Sequence, residues 1–461
     1  MGETQLSILN LYRSIFMNLF LLIIMLLVIY LFGLCYSYFR SNKDIFSPGV
    51  LITFLQIIST IPYLLLLLFD KSQISYLIYT NEFDVENKLI WYVFIQILGY
   101  ICLMIGIECK RHPNFFQKNP IINIDISQNR AYIAIFISLL LGILGYMFFL
   151  KNIGGFSNLV YNLQHRAEFT SGNGYILTLL KFLTVAICLL IYSRKFKRNG
   201  SIWYKFFILV VLMGTIFVLS TLGGRKATIH LVILCIVFFH YGVSRIKKMP
   251  INFYFILIVG LVYFIAMPIL RSPGAIEYYS ERPTELYEQV KQNYTESIKS
   301  ISYVDHYVLI TDHFTLQNVW LGKSYLDLFK APLPRSIYPE KPPIDDGMYI
   351  RTIAEGYNVT PSKPVQELYA SSWPPETLGS MYANFWIPGV VFGMYILGVI
   401  YKISYYFMKV SGYNFISIFI YGSIILNFQL SNLRIVQITT DLLLVLVFIF
   451  LFSNKENKPL G

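Results

Sequence analysis

Charge is what this chain has least of. Of its 461 residues only 13% are Asp, Glu, Lys or Arg, about half the share of a soluble domain, which averages roughly 25%. With 56% hydrophobic and 17% aromatic residues, it lacks the polar surface that a water-soluble fold needs. Cysteine is scarce as well. The five present (Cys35, Cys102, Cys109, Cys188, Cys235) lie in or beside apolar runs, and none falls between residues 271 and 380. That excludes a disulfide framework and any zinc spacing. The strict alternation of a membrane barrel strand is missing. So is a signal peptide: the first apolar run follows Glu3 and Arg13 rather than a basic cluster. It is also too long and has no small-residue cleavage site, so it reads as a retained helix.

What the chain has is repeated apolar runs near 20 residues, the length that crosses a hydrocarbon core of about 30 Å. The fold class expected is an all-α polytopic membrane protein with about eleven spans (ten to twelve). They are placed at 12–34, 48–69, 89–107, 131–150, 175–192, 203–220, 226–242, 251–270, 381–401, 412–430 and 433–452. Residues 1–270 then hold eight spans, 271–380 form one large loop with short helices, and 381–461 hold three spans and a short tail. Arg40 and Lys43 follow the first span, Lys110, Arg111 and Lys118 the third, and Arg194, Lys195, Lys197 and Arg198 the fifth. Arg245, Lys247 and Lys248 follow the seventh, Lys402 and Lys409 the ninth. All are odd-numbered connectors, which the positive-inside rule assigns to the cytoplasm. The 271–380 loop, with ten Lys and Arg against fourteen Asp and Glu, falls outside. The net charge of +12 is thus spread over short connectors, which argues against nucleic acid as a partner.

Basic residues on the outer side break that rule: Arg166, Arg225, Arg271, Arg282, Arg335, Lys341, Arg351 and Arg434. Guanidinium groups match phosphate two bonds at a time, so an anion at the outer leaflet, such as the diphosphate of a lipid carrier, is the simplest partner. The bland alternative is snorkelling into headgroups or pairing with the loop's carboxylates. Arg225 ends the tight Gly223-Gly224-Arg225 turn; His230, inside the next span, reads as a satisfied buried imidazole. Arg166 sits in the smaller outer loop, 151–174, between glycine pairs.

The large loop is too long to be a plain connector and too rich in Tyr, Trp, Val and Leu for disorder. Residues 293–320 read as one helix carrying Asp305-His306 and Asp312-His313, seven apart, so both imidazoles share a face. Histidine suits proton transfer near neutral pH. The Pro332–Pro343 run holds five prolines, which stiffen the backbone around Arg335 and Lys341. Asp345-Asp346 could bind a divalent cation, though two carboxylates make a thin ligand set. Trp373 suits a sugar-stacking or an interfacial position equally.

Pro334-Arg335 followed by Tyr338-Pro339-Glu340-Lys341-Pro342 resembles the signature of bacterial oligosaccharide repeat-unit polymerases, the O-antigen or capsule Wzy type. The Gly-Gly-Arg turn at 223–225 and the Gly379–Gly389 stretch with Tyr382-Ala383-Asn384-Phe385 look similar. Where that family often has Gly after Asn-Phe, this chain has Trp386. The resemblance implies a glycosyltransferase of the bacterial inner membrane on a GT-C-like scaffold. Its donor and acceptor would be oligosaccharides on undecaprenyl diphosphate, with membrane lipid and a chain-length regulator as further partners. It would need no cofactor and no metal, because cationic side chains stabilise the leaving diphosphate. Arg225, Arg335 and Arg351, with Lys341, Arg166 and Arg271, would hold the diphosphate. His313 or His306 would deprotonate the acceptor, with Glu376 and Asp312 as alternatives. Two competitors stand. One is a ligase or a metal-dependent glycosyltransferase using Glu82-Phe83-Asp84. The other is a lipid-linked oligosaccharide flippase, disfavoured by the lack of an internal repeat and by charges placed at span ends.

Overall fold

The computed structural model describes residues 2–109, 124–161, 174–196, 201–222, 225–246, 274–334 and 337–455, with isolated positions between 260 and 272. The described chain is helical apart from one two-residue antiparallel pairing, Ile124–Asp125 with Asn454–Lys455. Among the described residues nine helices are long and apolar enough to cross a membrane: Asn18–Arg40, Pro48–Phe69, Glu82–Glu108, Gln128–Asn152, Ile176–Ser193, Ile202–Thr221, Arg225–Gly242, Glu376–Val410 and Asn432–Phe452. The protein is a multi-pass membrane protein. These nine coincide with expected spans, the first displaced toward Arg40 and the third and ninth lengthened. The eighth expected span, 251–270, lies mostly outside the described residues. The tenth is a shorter helix, Phe415–Asn427. Gly412 and Tyr413 turn the chain with φ of 64° and 57° before it, and Thr377 captures Gln429 and Leu430 after it.

The chain forms two compact units. The first comprises Met1–His112, Ile298–Tyr405 and Asn427–Thr439; the second comprises Pro113–Ser297, Tyr406–Leu426 and Thr440–Gly461. The 271–380 segment therefore divides between them at Ser297.

In the first unit, helices Asn18–Arg40, Pro48–Phe69 and Glu82–Glu108 bury Leu26, Tyr30, Tyr63, Leu67, Leu89 and Val93. Polar groups at membrane depth have no water to bond, so they pair across helices. Gln96 donates to Tyr30 and Gln56 at 2.8 and 2.9 Å, and Thr53 bonds Tyr100 at 2.7 Å. One end of the bundle carries Arg40 on Glu108 at 2.7 Å and Tyr405 on Asp44 at 2.6 Å. The opposite end receives the 298–380 segment. There Tyr63 and Lys299 hold Asp305, at 2.7 and 3.7 Å.

The helix that follows this segment is broken. Between Glu376 and Val410 it departs from helical geometry at Trp386, with φ 54° and ψ −144°. Pro388, in the first turn of the second half, has no N–H for the Asn384 carbonyl. The amides of Trp320 and Leu321 supply the missing donors to Ala383 and Asn384, each at 2.9 Å. Gly389 makes the bend possible, since a Cβ there would lie 2.2 Å from the Met381 carbonyl oxygen. The span proper thus begins near residue 387, and 376–385 is a separate short helix ahead of it.

In the second unit, Tyr192, Phe238, Phe415 and Phe419 form an aromatic cluster with ring centroids 5.1–6.3 Å apart. Two charges here sit inside spans, not at their ends as the sequence led us to expect. Lys181 pairs with Asp441, and each offsets the cost of the other in an apolar setting.

Candidate functional site

The first unit gathers several of the expected residues around Trp373. His306 lies on helix Val304–His313, which Asp305 pins to the bundle; burial holds the Asp305 carboxyl above the usual carboxylate range. The His306 ring stacks on Trp373 with centroids 4.9 Å apart and planes 21° from parallel. Its Nδ1 is 3.2 Å from the Pro374 carbonyl oxygen. A carbonyl only accepts, so Nδ1 carries the hydrogen and Nε2 is the basic nitrogen. Burial pushes His306 down to about 4, against the Pro374 contact and the Glu376 charge, which both favour protonation. The imidazole is therefore neutral near pH 7.

Arg351 approaches the same indole from helix Gly347–Ala354. Its guanidinium carbon lies 5.3 Å from the Trp373 ring and 4.9 Å from that of Tyr369. Glu355, one turn on, takes Nη2, while Nε is buried without a hydrogen-bond partner. Gly347 opens this helix because the Trp373 backbone passes over it: a Cβ would meet that backbone at 2.8 Å. The Trp373 amide donates to the Gly347 carbonyl at 2.9 Å. Trp373 is thus engaged by an imidazole and a guanidinium, not offered bare to a sugar.

Glu376 follows two prolines and sits at φ 47°, a conformation that costs a side-chain-bearing residue energy. Arg434 clamps it, Nη2 and Nε reaching its two oxygens at 2.7 and 3.2 Å. The pair is almost wholly buried. With both oxygens so occupied, Glu376 is a poor proton acceptor and a good fixed negative charge.

Asp345 and Asp346 turn inward. Asp345 accepts from the Gly347 amide at 3.0 Å. Asp346 accepts from the Asn432 amide nitrogen and Nδ2 at 3.3 and 3.0 Å. Burial raises Asp345 and lifts Asp346 to about 7. Asn432 also reaches the Ser324 carbonyl at 2.6 Å, and Ser324 bonds Asn384. These carboxylates thus tie the segment to helix ends instead of opening toward a cation. Among the described residues no three His, Cys, Asp or Glu side chains come together to hold a metal ion.

Other candidates stand apart. The expected 293–320 helix is two, Tyr294–Ile301 and Val304–His313, with the break at Ser302-Tyr303. His313, at the end of the second, contacts Phe314 edge-on at 4.9 Å and is lowered by burial. Its neighbour Asp312 pairs with Lys88 at 3.1 Å. Lys341 turns back on its own proline-rich loop, donating to the carbonyls of Ala331 and Leu333 at 2.5 and 2.8 Å. Arg225 begins helix Arg225–Gly242 in the second unit. Arg335, Arg166 and Arg271 lie outside the described residues.

Sequence reasoning missed three things: the Glu376–Arg434 clamp, the Asp346–Asn432 tie and the Lys181–Asp441 pair. Only the last had a signal, an opposite charge inside each of two apolar runs. No family model, curated protein or solved structure matches this chain.

Proposed function

We propose that the chain is a membrane glycosyltransferase that joins undecaprenyl-diphosphate-linked oligosaccharide repeat units into a surface polysaccharide, on the outer face of the bacterial inner membrane. The observation that carries this reading is the His306–Trp373–Arg351 cluster, beside the Glu376–Arg434 clamp, in a segment between membrane-spanning helices. The loop signature's resemblance to the Wzy-type polymerases supports it, and a GT-C-like scaffold is part of the same proposal.

In the proposed step an acceptor hydroxyl attacks the anomeric carbon of the donor. The bond from that carbon to the diphosphate oxygen breaks, a glycosidic bond forms, and the hydroxyl proton passes to Nε2 of His306. Arg351 neutralises the departing diphosphate. The same donor charge raises the His306 pKa from its resting value, which brings the base toward its working range. Cationic side chains take the place a metal would have, so the reaction needs none.

A second reading, a lipid-linked oligosaccharide transporter, is favoured by one observation, the intramembrane Lys181–Asp441 pair. The lipid-linked oligosaccharides of a deletion strain separate the two. A polymerase leaves outward-facing single repeat units and no long chains; a transporter leaves units facing the cytoplasm. Unchanged long chains contradict both.

A further inference from the structure

The Lys181–Asp441 pair is the strongest feature that the proposed reaction does not use. Lys181 lies five residues past Ile176, the start of its span, and Asp441 nine past Asn432. At 1.5 Å per residue they sit roughly 8 and 14 Å along their helices. Phe182, next to Lys181, packs edge-on at 4.9 Å against Phe448, seven residues past Asp441, so the two helices also meet through apolar side chains. A buried ion pair that serves only to join helices has its remaining hydrogens and lone pairs satisfied, because each unmet one is costly at low dielectric. This pair does not. Lys181 Nζ meets Asp441 Oδ1, and among the described residues neither side chain makes another hydrogen bond. The side chains are 38% and 34% exposed. Among the described residues two ammonium hydrogens and one carboxylate oxygen are therefore left open, side by side, on two facing spans.

From these open valences we propose that Lys181 and Asp441 form a binding site for a phosphate ester that also carries hydroxyl groups, entering from the lipid phase. The ammonium hydrogens take phosphate oxygens, and Asp441 Oδ2 accepts a hydroxyl. Lipid-linked sugar phosphates and hydroxylated phospholipid headgroups share this chemistry. With the first as ligand, the site rests on the proposed function and deepens it.

The test uses the full chain in phosphatidylcholine nanodiscs, with ligand retention read by native mass spectrometry. The probes are polyprenyl diphosphate with one sugar, polyprenyl diphosphate without sugar, and phosphatidylglycerol. The wild type retains hydroxylated probes over the sugar-free one, and the better retained of the two hydroxylated probes identifies the source. Lys181→Met lowers retention of all three by roughly tenfold, the weight of one charge-assisted hydrogen bond. Asp441→Asn removes only the preference for hydroxyl-bearing probes. Retention unchanged in Lys181→Met overturns the site. No polymerisation enters this assay, so a chain that makes no polymer leaves its outcome legible.

Discussion

Glu376 shows how much a single residue here depends on partners far away in sequence. Its positive φ and its buried charge are both unfavourable alone, and Arg434, fifty-eight residues on, compensates with two charge-assisted bonds. Nothing in the local sequence announces that pairing. His306, by contrast, was recognisable as a candidate base, although its neutral state comes from burial against Trp373, which spacing could not reveal. Asp346 gives the clearest titration. Its folded value of about 7 lies above the ordinary 3.8, so its contribution is fully present below about pH 4 and is lost as pH rises through about 7. His306 runs the other way. Its value of about 4 lies below the ordinary 6.5, so its contribution is present above about 6.5 and is lost as pH falls through about 4. Asp346→Asn removes the first effect and offers an N–H donor beside Asn432 Oδ1, which is buried without a partner. Thermal unfolding of the purified chain should show Asp346→Asn gaining on the wild type between pH 4 and 7, by on the order of a few kcal/mol. An equal offset at every pH would contradict the assignment.

At the scale of elements, hydrophobic runs located the spans because hydrocarbon thickness fixes their length. Their interruptions were harder to see. The ninth span was expected at 381–401, yet the helix begins at Glu376 and breaks at Trp386. The apolar run continues through that break, so hydropathy has no mark for it. Pro388 was the available clue, since its missing N–H leaves the Asn384 carbonyl to Leu321. The backbone at Trp386 has the geometry glycine accepts without strain, and the family resemblance pointed to glycine at that position. Trp386→Ala and Trp386→Gly both lose the indole and its bond to Tyr382 at 2.9 Å; only glycine relieves the positive φ. The glycine variant should be the more stable of the two by about 1 kcal/mol, measured as the difference in their unfolding midpoints. An alanine variant at least as stable as the glycine one would mean that the break is not where the strain resides.

For the whole molecule, composition gave the class, a multi-pass membrane protein; of the eleven spans expected, nine are long and apolar enough among the described residues. Composition could not give the division into two units. Each unit is assembled from three separate stretches of chain, and contacts between distant stretches leave no periodic trace. The proposed diphosphate group is likewise only partly gathered: Arg351 stands beside His306, whereas Lys341 is taken up by its own loop. Arg351 is therefore the cation on which the account leans most. The most direct measurement is the chain-length ladder of surface polysaccharide from cells in which Arg351→Ala replaces the wild type at equal protein level in the membrane. The account predicts single repeat units and no ladder; a ladder of normal length and intensity would contradict it.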